Sequence, residues 1–204
     1  MALNTDHIKW FRDSSPYIDA HRDKTFVVCI ASDALQSENF PNVICDIALL
    51  DSLGAKVVVV FGGDHKVKAV LEANGSNWLQ AGGRRITNAI QIETVTSVLG
   101  QMYADLSARF SASTPESPAK RRAITTSTGN FIRAKPLGIK NGVDHQLSGL
   151  VRNINEAAIR HQLSDGSIVL IPSIGYSPSG ETFHLDVDVV AREVACALTA
   201  DKLI

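Results

Sequence analysis

The sequence has little cysteine, almost no net charge and no long apolar run, and each shortage closes off a class of protein. Its 204 residues carry 20 basic and 21 acidic side chains, a formal charge of −1. Such a balance gives no global attraction to nucleic acid or to an anionic membrane surface, so neither is expected as a partner. No window approaches the ~20 consecutive apolar residues that a membrane-spanning helix needs. The first apolar cluster, Ile8, Trp10 and Phe11, is too short for a secretory leader and is interrupted by Lys9 and Arg12. Cys29, Cys45 and Cys196 each lie in an apolar run, and none has the spacing of a zinc site. Odd in number and apolar in setting, they predict buried, reduced thiols and a cytoplasmic protein, with no metal.

What is present is the material of an α/β core. Hydrophobic residues make up 45% of the chain, enough for one domain or one large lobe. TFVVCI at 25–30 and KVVVVF at 56–61 are unbroken β-branched runs, which predict strands buried on both faces. Between them, Val43, Ile44, Ile47, Leu50 and Leu53 recur at helical spacing over 42–53, and Gly54 stands where a helix C-terminus turns left-handed. This strand–helix–strand order predicts a right-handed crossover and a parallel sheet. A helix is expected over 66–73. A longer one over 89–110 carries Ile92, Val95, Leu99, Met102, Leu106 and Phe110 on one stripe, with Thr87 or Asn88 as its cap. SASTPESPAKRR at 111–122 predicts a surface connection. Residues 123–126, 130–135 and 150–154 read as short antiparallel strands, followed by a helix at 156–163 and a buried strand at 167–171. At the start of the chain, 5–12 predicts a short helix ended by Ser14-Ser15-Pro16; residues 1–24 form an arm ahead of the domain at 25–204.

Two places invite a ligand. Gly62-Gly63 follows a strand and precedes a helix, a turn through which backbone N–H groups approach an anion, although a plain turn explains it equally well and Asp64 next to it repels phosphate. Arg85, beside the cap of the long helix, is a candidate for a carboxylate; a solvated side chain is its ordinary alternative. The closing stretch, from the strand through SIGYSPSGETFHLD into an acidic helix start, is a loop of the kind that walls a site in open α/β sheets.

Taken together, SSPYIDAHRDKTFVV, IALLDSLGAKVVVVFGG, RRITNA, TGNFIRAKPLGIKNGVDHQLSGLVRNIN and IVLIPSIGYSPSGETFHLDVDVVAREVACALTADKLI resemble the amino-acid-kinase domain of bacterial N-acetylglutamate synthases and, more distantly, N-acetylglutamate kinases. The resemblance runs from Trp10 to Ile204. It implies a three-layer αβα sandwich around a mainly parallel sheet. In the synthases such a domain carries the arginine feedback site and subunit contacts, while a following domain binds acetyl-CoA and transfers the acetyl group. The resemblance therefore implies no cofactor and no catalytic residue in this chain, L-arginine as an effector, and a homo-oligomer. It also implies a C-terminal lobe continuing past Ile204, so that the chain reads as a truncated member.

Departures from the family pattern matter equally. The kinases place a lysine in a glycine turn after the first strand; here that turn is Ala31-Ser32-Asp33, and phosphoryl transfer without the cation is not expected. Arg85 falls on the kinase position that holds a substrate carboxylate. His184 stands where the family has an asparagine. Asp188 matches an acidic residue that organises the kinase lysines, and in their absence it reads as a first-turn helix acid paired with Arg192. Gly62, Gly63, Arg85, His184 and Asp188 are thus the candidate ligand residues, and Trp10, Phe11 and Tyr17 the candidate arginine and oligomer arm. A small-molecule kinase and a decayed, non-catalytic binding module remain as alternative readings.

Overall fold

The computed structural model describes residues 5–112 and 124–204, with residues 5–8, 10, 11 and 17 by backbone alone. Helix α1 (Thr5–His21) leads into strand β1 (Thr25–Ile30), helix α2 (Phe40–Ser52) and strand β2 (Lys56–Phe61). Helix α3 (Asp64–Ala73) and the hairpin of β3 (Gln80–Ala81) and β4 (Arg84–Arg85) precede the long helix α4 (Ala89–Ser111). Then come β5 (Thr126–Ser127), β6 (Ile132–Pro136), the hairpin of β7 (Ile139–Lys140) and β8 (Val143–Asp144), and β9 (Gly149–Ile154). Helix α5 (Glu156–Ser164), strands β10 (Ile168–Pro172), β11 (Ile174–Tyr176) and β12 (Thr182–His184), helix α6 (Val187–Leu198) and strand β13 (Lys202–Leu203) complete the order.

The apolar runs set the architecture. Strands β13-β1-β2-β10-β5 form one sheet in that order, every pair parallel. Because side chains alternate along a strand, each run feeds two cores. Phe26, Val28, Val57, Val59, Phe61 and Leu170 pack on one face against α2, α3 and α4. Val27, Val58, Val60, Val169 and Ile171 pack on the other against α5 and α6. The result is the three-layer sandwich expected from the sequence. A second sheet, β12-β11-β6-β9, stands beside it and contains the antiparallel pairs.

Local chemistry fixes the element ends. Helix α2 closes with Gly54 at φ +89°, where Gly54 N–H donates to Asp51 O and Ala55 N–H to Leu50 O, a left-handed turn that satisfies two end carbonyls. Helix α4 starts at Asn88, whose side chain accepts from Ile90 and Gln91 N–H while Gln91 reaches back, a reciprocal capping box.

Four expectations are corrected. Helix α1 runs through Pro16 to His21 instead of ending at Ser14; Arg12, Asp13, Ser15 and Pro16 are exposed, so water meets the carbonyl that the proline leaves without a donor. Helix α3 begins at Asp64, since an acid in the first turn suits the positive end of the helix dipole. Strand β5 joins the main sheet in parallel, its polar Thr126 and Ser127 tolerated because it is an edge. The cysteines form no disulfide, but Cys29 and Cys45 are half-buried and Cys196 is exposed on α6. The connection expected at 111–122 lies, beyond residue 112, outside the described residues, as do the side chains of Trp10, Phe11 and Tyr17. Among the described residues no helix is long and apolar enough to cross a membrane.

The glycine turn after β2 has a packing reason. A Cβ on Gly62 would sit 2.9 Å from Val187 Cβ, and one on Gly63 would sit 3.1 Å from Leu99 Cδ2. The pair lets α6 and α4 close onto the end of β2. Gly62→Ala is expected to cost about 1–3 kcal/mol of stability through overpacking, read as a lower urea midpoint at unchanged slope; an unshifted midpoint would refute this role.

Candidate functional site

A cleft of about 420 Å³ opens where the β2–α3 turn, the β3–β4 hairpin and the β12–α6 connection meet. Each delivers one side chain. Asp64 is the first residue of α3, immediately after the glycine pair. Arg85 ends the hairpin, whose tip is Gly82-Gly83 at φ +56° and +73°, the two left-handed residues that a type I′ turn requires. His184 ends β12, one residue from Leu185 and two from the α6 cap Asp186.

These three side chains form a charged cluster on the cleft wall. Arg85 Nη1 donates to both carboxylate oxygens of Asp64. Arg85 Nη2 donates to Leu185 O at 3.0 Å, and Asp186 Oδ2 lies farther off at 3.8 Å. His184 Nε2 is 3.1 Å from Arg85 Nη1 and 3.2 Å from Asp64 Oδ1. Trp78 and the imidazole form a T-shaped pair, with ring centroids 6.3 Å apart.

A chain of hydroxyls ties His184 to the hairpin. Arg85 O accepts from Ser148 Oγ at 2.9 Å and from His145 Nδ1 at 2.9 Å. Thr87 Oγ1 lies 3.0 Å from Ser148 Oγ and 3.4 Å from His184 Nδ1. The two ring nitrogens of His184 thus face the hydroxyls on one side and the Asp64–Arg85 pair on the other.

Burial pushes the His184 imidazole below its ordinary pKa; contact with Asp64 works upward and the Arg85 charge downward, and the net direction is down. Burial alone would raise the Asp64 carboxyl, but His184 and the Arg85 guanidinium outweigh it and hold the group below its usual range. At neutral pH the cluster is a carboxylate, a guanidinium and a neutral imidazole.

The remaining candidates lie elsewhere. Gly62 and Gly63 are buried beneath α6 and α4 and do not line the cleft. Asp188 sits on the exposed first turn of α6, its Oδ1 3.8 Å from Cys29 Sγ. It does not pair with Arg192, which binds Glu193 at 2.8 Å instead; an exposed pair of this kind follows whichever acid its flexible side chain reaches. Burial, reinforced by the charge of Asp188, pushes the Cys29 thiol up to about 11, which makes it a poor nucleophile. In the turn after β1, Asp33 accepts from Ala34 N–H at 2.9 Å, capping a short 3₁₀ turn. Sequence reasoning missed Asp64 as the partner of Arg85. The signal was the acid placed straight after the glycine pair.

The profile of the amino acid kinase family matches residues 24–204. This chain belongs to that family. Among curated relatives, an amino-acid acetyltransferase of Shewanella oneidensis is 42% identical over 200 residues, covering 98% of this chain and 45% of the relative. Another from Pseudomonas fluorescens is 40% identical over 199 residues, with 98% and 46% covered. The chain thus spans about half the length of the curated relatives it matches. A solved N-acetylglutamate synthase from Neisseria gonorrhoeae, complexed with coenzyme A and L-arginine, superposes with a TM-score of 0.87 at 31% identity, over 96% of this chain and 46% of that one. The fold of smu.665 from Streptococcus mutans is also similar, with a TM-score of 0.72 at 24% identity over 88% of this chain and 70% of that one.

The low imidazole and carboxyl pKa values give stability a definite pH dependence. An unfolded histidine takes up a proton near its ordinary 6.5, whereas folded His184 resists it. Stability is therefore full above that value and falls as the pH drops through it toward the folded pKa. Asp64 adds a loss of the same sign in more acid solution, beginning near its ordinary 3.8. Urea midpoints measured between about pH 7.5 and 5 are expected to fall for the wild type and to flatten for His184→Asn; equal slopes would show that His184 is not the titrating group.

Proposed function

We propose that this chain is the amino-acid-kinase part of an N-acetylglutamate synthase, where it senses L-arginine and joins subunits. The whole protein would transfer the acetyl group of acetyl-CoA to L-glutamate, the first step of arginine biosynthesis. The observation that carries this reading is the likeness over 96% of the chain to a synthase described with L-arginine and coenzyme A. The α1 segment bearing Trp10, Phe11 and Tyr17 is the proposed arm for arginine and for subunit contact.

Two local features support a role other than phosphoryl transfer. The turn Ala31-Ser32-Asp33 brings an acid, and no lysine, to the end of β1, whereas a moving phosphoryl group needs cations around it. Arg85 is already engaged by Asp64. The kinase reading rests on the family match over residues 24–204.

Calorimetric titration of the purified chain with L-arginine is expected to give saturable binding that D-arginine does not reproduce, and a concentration-dependent rise in melting temperature. The same chain, incubated with acetyl-CoA and glutamate, should form no N-acetylglutamate. Saturable ATP binding with phosphorylation of N-acetylglutamate would overturn the proposal in favour of a kinase. Absence of L-arginine binding in an oligomeric, folded sample would overturn the sensing role.

A further inference from the structure

We propose that the groove between β9 and α6 binds an extended, acid-bearing peptide segment, which adds to the free edge of β9 as one more antiparallel strand. The groove shares only Val151 with the Arg85 cleft, and the proposal is independent of arginine sensing.

The backbone of β9 is only half used. It is the last strand of the second sheet and pairs with β6 alone. Its ladder is framed by Asn155 N–H donating to Phe131 O at 2.8 Å and Leu137 N–H donating to Ser148 O at 2.9 Å. Opposed residues in an antiparallel ladder alternate between exchanging hydrogen bonds and not exchanging them. Asn153 and Leu150, opposite Arg133 and Lys135, therefore turn their N–H and C=O toward β6, while Val151 and Ile154 turn theirs away. Among the described residues no backbone group answers these two. Both residues are half-buried, so water serves their polar groups poorly and a strand would serve them well.

The space beside that edge suits a strand. About 510 Å³ lies between β9 and α6, with Cys196 and Ala197 on the helix side. Side chains this small leave room for the inward residues of an added strand, every second one of which points to the helix. Charge then selects the occupant. Arg152 stands at the bulge of β9, exposed, and none of the ion pairs among the described residues uses it. Glu193, across the groove, is already bound by Arg192 at 2.8 Å. Glu156, at the start of α5, stands at the end of the groove and repels a further acid there. The fitting segment is thus extended, slim on its helix side, and carries one acid opposite Arg152. A bulge and a charge are what guards an open edge against indiscriminate pairing. They also disfavour a second copy of this chain, because two β9 strands paired about a two-fold axis would bring their Arg152 side chains close together.

The test uses the full chain and a fluorescein-labelled short peptide of alternating threonine and valine with one central glutamate. Fluorescence anisotropy should show saturable binding, and the bound peptide should protect Cys196 from alkylation. N-methylation of the peptide amides that face β9 should weaken binding at least about tenfold, since it removes the pairing donors without touching the protein. Methylation of the alternate amides should change it little. Arg152→Glu should reverse the charge preference, so that a lysine peptide binds better than the glutamate one. Ala197→Trp should fill the groove and abolish binding; should that variant fail to fold, a bulky maleimide on Cys196 blocks the same space. Equal binding of the two methylated peptides, or binding undiminished by a filled groove, would overturn the proposal. So would self-association that is lost in Ala197→Trp while no peptide binds, which would assign the groove to a second copy.

Discussion

The structure depends on three strands being apolar on both faces. β1, β2 and β10 bury their odd and even residues alike, so neither face of the sheet can meet water and helices must cover both. At roughly 25 cal/mol per Å² of apolar surface removed from water, this double burial is the largest favourable contribution available to the chain. It also determines where chemistry can occur. With both faces covered, the exposed parts of the sheet are its edges and the ends of its strands, and the crevice beyond the carboxyl ends is where the connecting turns project. The cleft stands there, where three such connections meet.

Close packing and charge then compete at the same turn. Val187 presses on Gly62 from α6, and Leu99 presses on Gly63 from α4, so the chain leaves β2 with no side chain for two residues. The first side chain to emerge is Asp64, beside a guanidinium that has little access to solvent. An isolated buried arginine is costly, and Asp64 offsets that cost within the fold. His184 shares the space as a neutral ring because burial penalises its charged form, and the guanidinium 3.1 Å away adds to that penalty. One geometric constraint at the glycines thus propagates into the protonation state of the cluster.

Much of this was legible in the sequence because it rests on local pattern. TFVVCI and KVVVVF became β1 and β2 at the residues their composition marked, Asn88 capped α4, and Asn155 capped α5 by accepting from Ala158 N–H. What the pattern could not supply was pairing across distance. Asp64 and His184 meet although 120 residues separate them, and no periodicity records such a contact. The sequence presents Arg85 as the second of two arginines ahead of a helix cap, with a solvated side chain as its ordinary alternative; its neutralisation depends on three connections converging. Helix α1 shows the opposite limit. Ser14-Ser15-Pro16 is a sound stop signal, and it is overridden where the freed carbonyl faces water.

A fold that holds a mostly buried arginine against its own acid is a specific physical situation. An arginine left there without an acid would be a buried, unpaired cation, and the penalty for that falls on stability. Here the guanidinium, the carboxylate and the imidazole have settled into mutual satisfaction, with hydroxyls of Thr87 and Ser148 tying the cluster to the hairpin backbone. Such a cluster braces three segments, the β2–α3 turn, the β3–β4 hairpin and the entry to α6, against one another.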